Sequence, residues 1–518
     1  MMRLVPFSLL LLCACGSDGR LLISLERPEV QLFDPMSDVR LSRFNLRVIQ
    51  GASQSDQETV RAETTRLRVG NVPVGEAFDL RLAGKSATGQ MLGLGLVFDL
   101  NVSGEGDTQV AVKFRKPIGF VAGAQGIEQL DTTATTTGII RLGQIPAPGA
   151  VDVVSSPAGD WIATISGSVL SVFGTSNQKK WPVPVTLPAP GTCLGVSPDS
   201  TYVVVCHASN RLSIVNMDRL AEGAVDVRDV PLGGSPTRVV FGQDRDLARV
   251  LINGQTYTAA ACNAQSHVAD VYVSTGRVGR DLQLPHPVSD VIVDPRDGRV
   301  LLAMPCDNAP HRRQLGRLGG TGGTEVEDTR VPVPWGIFDI ALTEQYIVLV
   351  GTTEAIVPGG KAAAGESVLI DLTKQGYTVQ KKPFGLPNLA VWTAGTSGQG
   401  ELGWLLDIDE FKIYDISVSP DGQRALALFR ATYSSDNVFG GNTYQTTMTV
   451  HGQMLVDLTI DDVVDWQMAN LQFTRCNTTQ HPNQADCDSW VRGALKKSGA
   501  LANPEYLPRG GAVLFGGR

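Results

Sequence analysis

Past its first twenty residues the chain alternates. Phe44, Leu46 and Val48, then Phe78, Leu80 and Leu82, then Leu96, Phe98, Leu100 and Val102 stand at every second position with other residues between them. A period of two, bounded by Gly, Asn and Asp, is the mark of half-buried antiparallel strands, and no amphipathic helix of useful length competes with it. Residues 21–115 therefore read as a β-sandwich domain.

From about residue 118 one unit recurs: an apolar run, a tight turn and a second apolar run. It stands at 151–166 (VDVVSSPAGDWIATIS), 193–206 (CLGVSPDSTYVVVC), 238–253, 289–304, 338–351 and 414–429 (YDISVSPDGQRALALF). Pro presets φ, and Asp or Gly accepts the left-handed position such turns need, so each unit is a β-hairpin. Two more strand-like pieces accompany each hairpin, with Pro-bearing junctions at Pro146, Pro188, Pro231, Pro285, Pro332 and Pro387. Four antiparallel strands in about 40 to 55 residues make the blade of a β-propeller. The expected architecture is all-β: a sandwich over 21–115, then a seven-bladed propeller over 116–518. The first blade is composite, with three strands from 118–145 and its innermost strand from Gly511–Phe515 at the other end of the chain, which removes exposed sheet edges. On this count the stretch between Pro387 and Tyr414 is an insertion; a degenerate eighth blade is the alternative.

The hairpin turns Ser197-Pro198-Asp199 and Ser419-Pro420-Asp421-Gly422 resemble those of WD40-like and YVTN-type bacterial propellers, of which lactonase-like propellers are one branch. The resemblance implies a fold and carries no activity with it. In the first domain, residues 72–80 (VPVGEAFDL) resemble the edge of transthyretin-like or immunoglobulin-like modules. Residues 1–20 (MMRLVPFSLLLLCACGSDGR) have one basic residue, an apolar stretch too short to span a bilayer and then small residues, the pattern of a secretory signal and tether. Leu12-Cys13-Ala14-Cys15 resembles the lipobox of bacterial lipoproteins, which implies that Cys15 is acylated and becomes the mature N-terminus. Several acyl chains on one residue anchor stably where one does not. Gly16 after that Cys resembles the sorting signal that favours the outer membrane, so the expected place is the bacterial cell envelope, with the lipid membrane as a partner through Cys15.

Composition narrows the rest. With 44 basic and 52 acidic residues the net charge is −8, and no basic block exists to neutralise phosphates, so nucleic acid is not an expected partner. Of eight Cys, six remain once Cys13 and Cys15 are set aside, and an exported chain with an even number invites disulfides. With Asp199 and Ser200 as the turn, Cys193 faces Cys206 across the hairpin. Cys262 and Cys306 follow the second strands of neighbouring blades and pair as an inter-blade staple; Cys476 and Cys487 close a C-terminal segment. Free thiols packed as small apolar groups are the alternative.

Catalytic patterns are nearly absent. Gly84-Lys85-Ser86 lacks the rest of a phosphate loop and is read as a loop, and Asp407-Ile408-Asp409-Glu410 lacks the Gly and Glu of a calcium loop. The blade map puts His207, His267 and His311 on loops between second and third strands and His286 on a junction at the same rim, beside Asn210 and Asn263. Trp335, Tyr433, Phe439 and Tyr444 add aromatics there, the last three within a long insertion after Phe429, and aromatics anchor interfaces. The expected role is a non-catalytic binding platform for an envelope protein or a small ligand, with no cofactor, no metal and no catalytic residue. The alternative is a lactonase-like or sugar-directed, metal-dependent hydrolase that uses the His-bearing rim.

Overall fold

The computed structural model describes residues 19–514 apart from 30, 51–52, 61–64, 134–139, 158, 176–178, 255–264, 286, 295–296, 305–313, 320–324, 333–336, 343–345, 352–365, 372–377, 384–406, 420–422, 440–441, 458–461, 478–486, 493–494 and 497–507. Two compact units divide the chain: Asp34–Arg115 with the segment ending at Pro28, and Lys116–Arg518 with Glu29–Phe33. Among the described residues, helix is confined to Met217–Ala221 and two 3-10 turns, and no helix is long and apolar enough to cross a membrane.

The first unit holds two sheets. One is ordered Arg66–Val72, Gly19–Glu26, Asp107–Lys113, the other Ser53–Val60, Leu41–Gln50, Gly75–Ser86, Met91–Val102. Leu21, Ile23, Val69 and Val112 from the one sheet and Phe44, Leu46, Leu80 and Leu82 from the other fill a single core, with the Phe114 ring set edge-on to Phe44 at 5.7 Å. Two features depart from the alternation. Gly19–Glu26 runs parallel to Asp107–Lys113 rather than antiparallel. Leu96, Phe98 and Leu100 are only partly buried while Leu92 and Leu94 are fully so: Leu96 pairs with Arg81, so Val97 opposite Leu80 takes the core side, and the bulges on either side of Phe78 then bring Leu100 onto that side. Gly84 lies within a strand and not in a loop; a Cβ there would press to 2.6 Å from the Phe114 ring.

The second unit contains seven sheets among its described residues, six of four strands and a last one of six. The first of the six combines Ile118–Gly123, Gly126–Asp131 and Ile140–Ile145 with the returning strand Pro508–Leu514, which pairs antiparallel with Ile118–Gly123. In the others the strands follow chain order. The innermost strands Asp152–Ser155, Gly191–Val196, Pro236–Phe241, Asp290–Val293, Ile337–Leu342 and Asp407–Val418 each contact the next, and Pro508–Leu514 touches both the last and the first of them. The ring is closed. A circle of antiparallel meanders joined at their inner strands is a β-propeller. Its cores lie between sheets: Ile165, Leu170 and Val172 pack with Val203, Val205 and Val215 of the following sheet, and Val204 and Ile214 with Val250 and Val271 of the one after. Both faces of these strands are covered, so residues 203–206 form a continuous apolar run, each such side chain contributing about 1.5 to 3 kcal/mol by burial.

The hairpin turns share one lock. Ser197 N–H donates to Tyr202 O at 2.9 Å, and Tyr202 N–H donates back to Ser197 Oγ at 2.9 Å. Ser156 with Trp161 (2.9 and 3.2 Å) and Ser419 with Arg424 (2.7 and 2.9 Å) repeat it. All three serines are buried and would otherwise leave polar groups without partners. The loop is thus Pro198–Thr201 rather than the two residues Asp199 and Ser200, but it is centred on the same peptide bond, so the ladder keeps the expected register.

The last sheet differs in scale. Its strands Asp407–Val418, Arg424–Phe439, Asn442–Asp457 and Asp462–Asn477 have 12, 16, 16 and 16 residues, against two to eight elsewhere in the ring, and Cys487–Arg492 adds a fifth rung. Of residues 430–450, read as an insertion, 430–439 and 442–450 are the paired ends of two strands, and Asp407-Ile408-Asp409-Glu410 opens a strand rather than a calcium loop.

Candidate functional site

The rim where second strands turn into third strands was the expected site, and between the third and fourth sheets most of it is described. Cys193 pairs with Cys206 in the ladder and forms a disulfide across a Cα–Cα distance of 4.9 Å. The next residue, His207, is not on a loop: it ends the strand Tyr202–His207 and is fully buried. Its Nδ1 lies 3.1 Å from Pro190 O and its Nε2 2.8 Å from Ser213 Oγ. Both ring nitrogens are engaged, so this imidazole ties a blade junction to a strand and is closed to a ligand.

Neighbouring polar residues do similar work. Ser235, on the junction leading into the fourth sheet, lies with its Oγ 2.9 Å from Ala208 O and 3.1 Å from Asn210 Oδ1, and its N–H donates to Asn253 Oδ1 at 3.1 Å. Asn210 and Asn253 have φ of 57° and 53°, a left-handed conformation that Asn tolerates better than most residues. Ser266 Oγ donates to Asn253 O and accepts from Val288 N–H at 3.0 Å on the following junction. At these three junctions the rim is a belt of hydrogen bonds stitching junction to adjacent blade.

His267 opens the third strand of its sheet and is partly exposed, with Nδ1 3.2 Å from Asp281 Oδ1. A Cβ on Gly233 would stand 3.1 Å from the other oxygen of Asp281, so backbone approaches this pair closely. A carboxylate behind an imidazole orients it, the arrangement a proton-transferring group needs. His286, His311, Trp335, Asn263, Cys262, Cys306 and Cys15 lie outside the described residues. Among the described residues no three His, Cys, Asp or Glu side chains converge as a metal group would require.

Tyr433 and Tyr444 fall on the extended sheet, not on a loop. Backbone register aligns Tyr433 with Ile408 and Met448, Met448 with Phe473, and Phe473 with Trp490, one row across five strands. Tyr444 stands in a parallel row with Asn437 and Asn477. On the alternate positions Thr432, Thr443, Thr447, Thr449 and Thr474 are partly exposed and Gln445 is exposed. At the base of the extension Arg430 is paired with His451, whose pKa is lowered, first by burial and then by that guanidinium.

Sequence reasoning passed over one group. Asp152 Oδ2 accepts Leu194 N–H of the next inner strand at 2.7 Å. Asp290 Oδ2 likewise accepts Ile340 N–H at 2.8 Å, while its Oδ1 meets Arg238 Nε at 3.1 Å. An inner strand is a sheet edge whose outward N–H groups need acceptors, and these carboxylates supply them from the neighbouring blade. The signal was present as Asp before Val or Ile in residues 151–154, 289–292, 338–341 and 414–417.

Fold and rim define a β-propeller protein with one greatly extended blade. No family profile matches the sequence, and none of the curated proteins matches it. Solved structures that resemble it include Kuenenia stuttgartiensis hydrazine synthase (16% identity over 57% of this chain and 80% of that one, TM-score 0.40). Two others are the dihydro-heme d1 dehydrogenase NirN (11%, 77% and 75%, 0.41) and the Cps50 (Swd1) β-propeller domain of Myceliophteria thermophila (9%, 68% and 99%, 0.41). Likeness at this level extends to no ligand or activity of those proteins.

Proposed function

We propose that the chain is a bacterial cell-envelope lipoprotein, anchored in the outer membrane through an acylated Cys15, in which a β-sandwich precedes a seven-bladed propeller serving as a non-catalytic binding platform. One observation carries the platform reading: the last sheet continues past its blade through residues 430–439, roughly 30 Å at the rise of a strand. A blade needs only strands of about six residues, so this length is unnecessary for closing the ring. It leaves from the same end of the meander as the rim turns. The row Tyr433, Met448, Phe473 and Trp490 supplies residue types that anchor contacts, with Asn, Ser, Thr and Arg in adjoining rows, a mixture suited to a partly polar protein interface.

Recovery of partners from solubilised envelope tests this reading. The full chain retains a partner that a variant shortened at the hairpin, with residues 432–449 replaced by a two-residue turn between the paired Ala431 and Val450, does not, while both give the same unfolding transition. Equal recovery by the two overturns the platform reading. For the anchor, Cys15→Ser shifts the protein from the membrane fraction to the soluble one and abolishes its labelling by radioactive palmitate; labelling that persists overturns the assignment.

The hydrolase alternative draws on His267 and Asp281. Stoichiometric zinc or calcium in the purified full chain, lost in His267→Ala, favours that reading over a platform.

A further inference from the structure

We propose that Cys476 and Cys487 form a second cross-strand disulfide, which clasps the outer strand of the extended sheet to its neighbour. The two strands pair without a bulge from Leu471 opposite Arg492 to Cys476 opposite Cys487, and this cysteine pair is the last rung of the ladder. The chain leaves Asp462–Asn477 just after it, passes through 478–486 and begins Cys487–Arg492 at it. A bond here ties the end of the one strand to the start of the next. Directly opposed residues of antiparallel strands bring their Cβ atoms to about 4.5 to 5.5 Å, near the separation a disulfide bridges. The same molecule supplies the precedent: Cys193 and Cys206, also directly opposed in an antiparallel ladder, are joined.

The chemistry is thiol–disulfide exchange. One thiolate attacks a sulfur of an oxidant's disulfide and releases one of its thiols. The second thiolate then attacks the resulting mixed disulfide, forms the Cys476–Cys487 bond and releases the other. Two protons leave the cysteines, and two electrons reduce the oxidant's disulfide to two thiols. An exported chain meets such oxidants outside the cytosol.

The consequence falls on the extended sheet. Cys487–Arg492 is held by six backbone pairings, and a short outer strand opens readily. Cross-linked at one end, it keeps Trp490 in register with Phe473, Met448 and Tyr433. The proposal rests on strand register and holds whether or not the sheet is a platform.

The test uses the full chain, reduced and then treated with oxidised glutathione, digested without reductant and mapped by mass spectrometry, with Cys193–Cys206 as the internal standard of complete oxidation. The expected map contains a peptide joining Cys476 to Cys487, two hydrogens lighter than its parts and absent from Cys476→Ser. Amide exchange in 487–492 slows at least about tenfold on oxidation. Either cysteine recovered as a free thiol once Cys193–Cys206 has fully formed, or linked to Cys262 or Cys306, overturns the proposal.

Discussion

Gln453 Nε2 donates to Glu128 Oε2 at 3.0 Å between residues 325 positions apart, and both side chains are fully buried. The bond joins the extended sheet to the composite one, at the seam where the ring closes. A carboxylate without water depends on such donors. Gln453→Leu is expected to lose about 1.5 to 3 kcal/mol, the range for hydrogen bonds to charged groups. Adding Glu128→Gln to that variant removes the buried charge and recovers part of the loss. Denaturant unfolding of the two single variants and the double variant reads the coupling; additive losses would show that the two side chains act independently.

Asp290 serves three inner strands at once, its own, that of Arg238 and that of Ile340. Asp290→Ala leaves a buried amide without this acceptor and is expected to cost about 2 to 3 kcal/mol, whereas Asp290→Asn keeps a carbonyl oxygen for Ile340 and costs about half as much. Thermal unfolding compares them; equal losses would mean that the Arg238 ion pair, not the amide, matters.

The turn lock gives opposite signs at two positions. Ser197→Ala removes the acceptor for Tyr202 N–H and is expected to destabilise by about 1 kcal/mol. Ser200, at φ 68°, pays for a left-handed backbone that Gly159 takes freely in the preceding sheet at φ 73°, so Ser200→Gly is expected to stabilise by about 1 kcal/mol. Midpoints in urea measure both.

His451 makes stability depend on pH. Burial, then Arg430, lowers its pKa below the ordinary 6.5, so in acid the unfolded chain takes up a proton that the folded one refuses. Its contribution is therefore constant above about pH 7.5 and falls as pH drops through 6.5 toward the folded-state value. His451→Gln is expected to show a shallower loss of unfolding midpoint between about pH 7.5 and 5.5; an unchanged slope would exonerate this residue.

Local chemistry made much of the ring legible in sequence. A Ser-Pro-Asp turn dictates which residues oppose one another, because register follows from the turn, and Cys193 meets Cys206 for that reason alone. The same logic set the hairpins, whereas the pairing of the returning strand near Gly511 with 119–123 followed from closing the ring so that no sheet edge is left exposed. Period-two patterns fail where a bulge inserts a residue, as on either side of the Phe78–Leu100 pair. They fail again over 430–439 and 442–450, which lack the apolar runs of the blades, so the ends of two long strands passed for an insertion.

What tertiary structure alone decided is where polar side chains go. His207 looked like a rim ligand, yet packing seals it between Pro190 and Ser213. Asp152 and Asp290 looked like ordinary strand residues, yet each reaches a backbone amide of the next sheet. Hydrogen-bond partners distant along the chain are set by how sheets stack round the ring. That stacking leaves a periodic trace only in apolar residues, because burial is non-directional and needs no particular partner, whereas a hydrogen bond needs one donor aimed at one acceptor.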